Sequence, residues 1–238
     1  MKHFPDSYTV HLLAAQLDLC EKEIESLSVL LSARESARAR RFIFPVHRRR
    51  FIAARGVLRR VLGRYLDMAP EDVVFSIDPR GKPYIENAGP SGFLHFNLSH
   101  SAGMALIGLA VDRKIGVDLE YIDEGRNPEK LAARFFPANE AQAVASAPEG
   151  EGAALFFRYW TAKEAYLKAV GDGIRRLEDI RKNIDPGSGC CVIERRGVQN
   201  DVWTVCSVSV CEDYAAAVAV EGRITKDQIK IFPELTIL

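Results

Sequence analysis

In Ile115-Gly116-Val117-Asp118-Leu119-Glu120, three large apolar residues alternate with a glycine and two acids, and this run restricts the chain more than any other stretch. A β-strand sends alternate side chains to opposite faces, so one face is apolar and the other carries Asp118 and Glu120 about 7 Å apart. Trp160-Thr161-Ala162-Lys163-Glu164-Ala165-Tyr166-Leu167-Lys168 reads instead as helix, with Trp160, Glu164 and Lys168 at four-residue steps along one stripe. Each pattern has an ordinary explanation. Any half-buried strand alternates in this way, and Glu164 with Lys168 has the favoured spacing of a helical ion pair. The chemical alternative is that two carboxylates on one pleat form half of a site for a hard cation, completed by Glu164.

A third segment favours the chemical alternative. Phe96-Asn97-Leu98-Ser99-His100-Ser101 sets polar side chains just ahead of the apolar run Met104–Val111, an unusual opening for a core strand unless a polar ligand lies nearby. His100 alone would more often be a hydrogen-bonded structural residue than a ligand.

Taken in order and at these separations, Asn97-Leu98-Ser99-His100-Ser101, Gly116-Val117-Asp118-Leu119-Glu120 and Trp160 to Lys168 resemble the signature of the 4′-phosphopantetheinyl transferases, in particular the long, monomeric class that activates peptide and polyketide synthases. Gly81-Lys82-Pro83 and Arg40-Arg41-Phe42 extend the likeness, which runs from about residue 32 to about residue 180. The resemblance implies an α+β fold of two pseudo-symmetric halves, residues 1–113 and 114–238, with coenzyme A in the cleft between them. It implies transfer of 4′-phosphopantetheine to a serine of an apo acyl- or peptidyl-carrier protein, with release of 3′,5′-ADP. By the same resemblance Asp118, Glu120 and Glu164 bind Mg²⁺ or Mn²⁺, and Lys168 meets the pyrophosphate. Glu120, Glu164 and Lys168 are thus the expected catalytic residues, and Asp118 lies beside the cofactor. Ser99 and His100 contact the nucleotide, Lys82 and His100 lie near its 3′-phosphate, and Arg38 matches one of two basic residues flanking it. Glu35 stands where the second is common, with Arg34 as a candidate substitute.

The 238 residues suit one large domain or two small ones sharing a core. Their 47% hydrophobic and 27% charged residues are ordinary for a globular chain. No stretch has signal-peptide character or the roughly 18 apolar residues of a membrane span, which points to a cytoplasmic protein. Five cysteines without metal-ligand spacing are expected as buried or half-buried thiols.

Net charge is zero, yet from Arg34 to Arg64 eleven arginines face the single acid Glu35. Pro45 divides this stretch into two helices, and the second has an apolar stripe through Phe51, Ala54, Leu58, Val61 and Leu62. A solvated basic face, an acidic carrier protein and a nucleic acid are three readings of the arginines. The lack of a nucleic-acid-binding motif and of clustered aromatics argues against the last. A non-catalytic anion-binding protein and a different phosphoryl or nucleotidyl transferase are the alternatives at the level of function.

Elsewhere, Val73–Ile85 reads as a hairpin turning at Asp78-Pro79-Arg80-Gly81. Asn127-Pro128-Glu129 starts a pair of short helices, and Gly171 stops the long one. Residues 190–194, 202–211 and 214–220 read as antiparallel strands ahead of an irregular tail.

Overall fold

The computed structural model describes residues 6–86, 94–171, 189–194 and 201–232. Two long helices carry the architecture. One, α3 (Pro45–Leu66), starts with proline at its first turn, where the missing N–H costs nothing, and ends at Asp67 in a left-handed conformation. The other, α6 (Gly152–Val170), is closed by left-handed Gly171, whose N–H bonds Leu167 O.

Each long helix covers one four-stranded sheet. The first sheet has the order β10 (Ile229–Phe232), β1 (Val10–Gln16), β5 (Met104–Val111), β4 (Leu94–Ser101). The second has the order β6 (Ile115–Tyr121), β9 (Tyr214–Glu221), β8 (Val202–Val208), β7 (Cys190–Glu194). Strand alternation sorts the side chains into layers. Leu13, Ile107 and Leu109 pack under α3 with Leu58 and Leu62, while their neighbours Leu12, Leu106 and Ala110 face the second sheet. There they meet Ile115, Val117 and Leu119, and on the far side Ala217 and Ala219 of β9 pack under Ala162, Ala165 and Ala169 of α6. The order through the protein is helix, sheet, sheet, helix. Such α+β layering agrees with the expected fold class, and the apolar face of β6 lies between the sheets as its alternation requires.

Among the described residues the remaining α-helices are α1 (Glu21–Ser28), α2 (Ala33–Arg40), α4 (Pro128–Phe135) and α5 (Ala138–Ala145). Strands β2 (Phe75–Ile77) and β3 (Pro83–Ile85) form the separate hairpin. Asn127 caps α4 by accepting a hydrogen bond from Lys130 N.

Three features depart from the sequence reading. The tail is not irregular at Ile229–Phe232, which pairs in parallel with β1 and returns the chain's end to the first sheet. A four-residue strand has too short a pattern to stand out. Cys190 and Cys206 are joined by a disulfide, not left as thiols, and Cys20 is exposed. The partners lie directly opposite each other on β7 and β8, a register that spacing does not reveal. Finally, the strand expected over 202–211 ends at Val208.

Candidate active site

The first sheet's edge strand β4 runs beside the second sheet's edge strand β6, and a row of side chains joins them. Asn97 Oδ1 accepts from Val117 N at 2.9 Å, Ser99 Oγ donates to Asp118 Oδ1 at 2.9 Å, and Ser101 Oγ donates to Glu120 Oε2 at 2.7 Å. Ser101 Oγ also accepts from Tyr121 N. Residues 97, 99 and 101 share one face of β4, so three polar groups in a row stitch the two halves along the acidic strand. The Asn-x-Ser-x-Ser alternation carries this information in the sequence, and it adds Asn97 and Ser101 to the expected Ser99 and His100.

Helix α6 lies across β6 because Gly116 lets it. A Cβ at Gly116 would sit 2.1 Å from Ala165 O and 2.4 Å from Ala169 N, an impossible approach for any other residue. With small residues on both elements the backbones touch, and the helical stripe of Glu164 and Lys168 comes down over the acids. Lys168 Nζ donates to Asp118 Oδ1 at 2.6 Å and to Ser99 Oγ at 3.0 Å. The structure thus brings together Ser99, Asp118, Glu120, Glu164 and Lys168 where α6 crosses the seam. Trp160, on the same stripe, packs on Phe135 and Phe156 away from the acids.

Charge at this crossing is crowded. Burial, then the neighbouring Asp118 and Glu120 carboxylates, push Glu164 above the usual range, with Lys168 partly opposing. Burial likewise raises Glu120 despite its bond from Ser101, and Asp118 adds to the rise. Asp118 Oδ2 and Glu164 Oε1 are both buried with no hydrogen-bond partner. Buried carboxylate oxygens are costly to leave unpaired, and oxygens of this kind suit a hard cation. Among the described residues no three His, Cys, Asp or Glu side chains are close enough to make a complete metal cage. Mg²⁺ seldom requires one, since it is commonly held by one or two carboxylates together with water and substrate phosphates. The residues present fit such an ion.

His100 is exposed on the opposite face of β4, and partial desolvation, Lys168 and Arg38 hold its imidazole below the ordinary value. Arg38, also exposed, lies over the Phe51 ring. Lys82 Nζ donates to Ile115 O at 2.9 Å and Ala169 O at 3.0 Å, at the start of β6 and the end of α6.

Glu35 is buried, and its carboxylate pairs with Arg55 and Arg59 while closing a capping box with Ser32. Burial pushes its pKa up, but Arg55, the Ser32 backbone and Arg59 outweigh that and hold it low. Arg49 pairs with Glu21, and Arg50 makes two bonds of 2.7 Å to Asp18. The basic stretch is therefore less bare than the sequence suggests, because two of its counter-ions lie upstream of Arg34. Lys163 is also accounted for. Its ammonium is buried, 3.0 Å from Glu140 Oε1, and ties α6 to α5.

A carboxylate-lined seam between two helix-on-sheet layers, with a lysine over it, is the candidate active site. Comparison with known proteins narrows the class. Residues 114–219 match the family model for the 4′-phosphopantetheinyl transferase superfamily, and residues 18–111 match that for the 4′-phosphopantetheinyl transferase N-terminal region. The chain is 44% identical to the 4′-phosphopantetheinyl transferase HetI of Nostoc sp., over 90% of this chain and 88% of that one. It is 36% identical to the 4′-phosphopantetheinyl transferase psf-1 of Bacillus pumilus, over 64% of this chain and 63% of the relative. To the mouse L-aminoadipate-semialdehyde dehydrogenase-phosphopantetheinyl transferase it is 25% identical, over 78% and 65%. The chain belongs to the 4′-phosphopantetheinyl transferase family and is an enzyme of that class.

Proposed function

We propose that the enzyme moves 4′-phosphopantetheine from coenzyme A to a serine hydroxyl of an apo acyl- or peptidyl-carrier protein, releasing 3′,5′-ADP, with Asp118, Glu120 and Glu164 as the acids from which one or two carboxylates, together with water and substrate phosphates, would hold Mg²⁺. The observation that carries this reading is the pair of buried, unpartnered oxygens, Asp118 Oδ2 and Glu164 Oε1, beside Lys168. Bound there, Mg²⁺ or Mn²⁺ would offset the negative charge that builds on the pyrophosphate as its phosphorus–oxygen bond breaks. Lys168 supplies a fixed positive charge for the same oxygens, and Ser99 orients both Lys168 and Asp118. Because Asn97, Ser99 and Ser101 come from one half and the acids from the other, the site exists only where the halves, 1–113 and 114–238, are docked. Arg38 and His100, exposed near one another, suit the nucleotide's 3′-phosphate. With Glu35 bound to Arg55 and Arg59, Arg34 is left as the second cation there.

The carrier protein docks on the turn between α2 and α3. Ile43, Phe44 and Val46 are exposed there, Ile43 at 89%, among the exposed Arg40, Arg41 and Arg48. Apolar side chains ringed by cations fit an acidic, amphipathic carrier helix. One helical turn on from Val46, Arg50 holds Asp18, which packs on Gly103 two residues after Ser101. Arg48 fits this surface, whereas Arg49 is held by Glu21 and Leu19 O and does not.

Incubation with Mg²⁺, coenzyme A and an apo carrier protein should attach phosphopantetheine, seen as a mass gain on the carrier that a chelator abolishes. No mass gain under these conditions, with several apo carriers tried, would overturn the reading. Steep salt-dependent binding to DNA without turnover would replace it with an anion-binding protein. Among the described residues, no helix is long and apolar enough to cross a membrane.

A further inference from the structure

The β2–β3 turn carries two cations aimed at the other half of the protein. Asp78 Oδ1 accepts from both Arg80 N, at 2.9 Å, and Lys82 N, at 2.8 Å, while Asp78 N donates to Lys82 O. Gly81 at φ +89° supplies the left-handed residue that this tight turn needs. The turn is held by its own hydrogen bonds, so the points from which its side chains leave the backbone are set within the turn.

Both side chains end on the last turn of α6. Lys82 Nζ donates to Ala169 O and Ile115 O, and Arg80 Nη1 donates to Val170 O at 3.1 Å. The final carbonyls of a helix have no amide within the helix to bond, and they form the negative end of its dipole. Two cations from another part of the chain satisfy them here. The neighbouring residue on that turn is Lys168, and Ile115 begins the strand that carries Asp118. Lys82 therefore ties together the two elements whose registry decides whether Lys168 meets Asp118.

We propose that Arg80 and Lys82 are positioning residues, a clamp from the first half that caps α6 and holds Lys168 over Asp118. The proposal rests on the reading of Lys168 as a residue of the active site. It gives Lys82 work other than contact with the nucleotide's 3′-phosphate, and the two roles predict opposite kinetics. A clamp acts on the reacting centre, so its loss lowers kcat whether or not the substrate carries a 3′-phosphate. A phosphate contact acts on binding and disappears with that phosphate.

The test compares Lys82→Ala and Arg80→Ala with coenzyme A and with dephospho-coenzyme A, each alone and combined with Lys168→Ala. The clamp predicts that Lys82→Ala lowers kcat about 10- to 100-fold with both cofactors alike, as a misplacement of about 1 Å would. KM should move less, Lys82→Arg should restore part of kcat, and Lys82→Ala should add little once Lys168 is gone. Arg80 is exposed, so Arg80→Ala keeps the test usable if Lys82→Ala folds poorly, and it should show a smaller loss of the same kind. A loss seen as raised KM with coenzyme A alone, or losses that add fully to a costly Lys168→Ala, would overturn the clamp and leave the active-site reading standing. Unchanged turnover in Lys168→Ala would remove that reading and the clamp with it.

Discussion

Glu35 and Glu164 are both buried carboxylates on helices, and they are treated in opposite ways. Glu35 is paired with Arg55 and Arg59 and caps its own helix, with every oxygen satisfied. Glu164 lies among like charges with one buried oxygen unpartnered. The same architectural layer, helix over sheet, is closed electrostatically on the first side and left open on the second. Between α2 and α3 the buried Glu35 is neutralised by Arg55 and Arg59, and the sheet-facing stripe of α3 is apolar. Under α6 the stripe carries Glu164 and Lys168 above two more acids. Two unpartnered oxygens on neighbouring carboxylates, Asp118 Oδ2 and Glu164 Oε1, are what make the second side the candidate site.

Exchanging these two acids for glutamine is the strongest way to break the comparison. Glu164→Gln should lower turnover at least about 100-fold, by removing a charge from the proposed metal site, while thermal stability holds or rises because a crowded charge is gone. Glu35→Gln should cost about 3 kcal/mol, since it strands two arginines, yet change the kinetics of the folded fraction little. Turnover and denaturant curves of both variants would check this; equal kinetic losses would erase the distinction.

Gly116→Ala probes the contact that places Glu164 and Lys168. Its Cβ meets helix backbone, which cannot swing aside, so α6 must lift from β6. A loss of roughly 1 to 3 kcal/mol in stability is expected, as for overpacking elsewhere, together with a fall in kcat. A variant as stable and active as the parent would show that the site tolerates a looser fit of α6 on β6.

Replacing Arg40, Arg41 and Arg48 together with Ala should lower kcat/KM for the carrier about tenfold at low salt and less at high salt, with the Kd for coenzyme A nearly unchanged. Arg49→Ala, at a residue already held by Glu21, should change carrier kinetics far less. Stopped-flow or steady-state assays across ionic strength would separate the two, and equal losses would move the docking surface.

The smallest effect concerns Lys82, whose pKa burial pushes down to about 8, with Lys114 opposing and Asp78 and Glu221 favouring its charge. His95 also faces it. An unfolded lysine titrates near 10.5, so between about pH 8 and 10.5 the unfolded chain binds more protons than the folded one. Stability from this group therefore rises with pH across that window and is flat below it. NMR titration of the Lys82 side chain in parent protein should find the depressed value, and a midpoint near 10.5 would place the ammonium in water.

Much of this was legible in the chain. The faces of β6, the stripe of α6, the hairpin turn and the helix starts follow from local steric and hydrophobic rules, which act between residues a few positions apart. The motifs at 97–101, 116–120 and 160–168 also pointed to the right family. Other features depended on residues far apart in sequence. Nothing local says that Glu35 belongs to Arg55 and Arg59, that Cys190 faces Cys206, or that Ile229–Phe232 completes the first sheet beside Val10. The apparent excess of arginines likewise shrank once Asp18 and Glu21 came within reach. The meeting of Ser99, Asp118 and Lys168, and of Lys82 with the end of α6, needed both halves docked. Local periodicity fixes which face a side chain takes, but only long-range packing decides what stands opposite that face, and the chemistry of a buried charge depends on its opposite number.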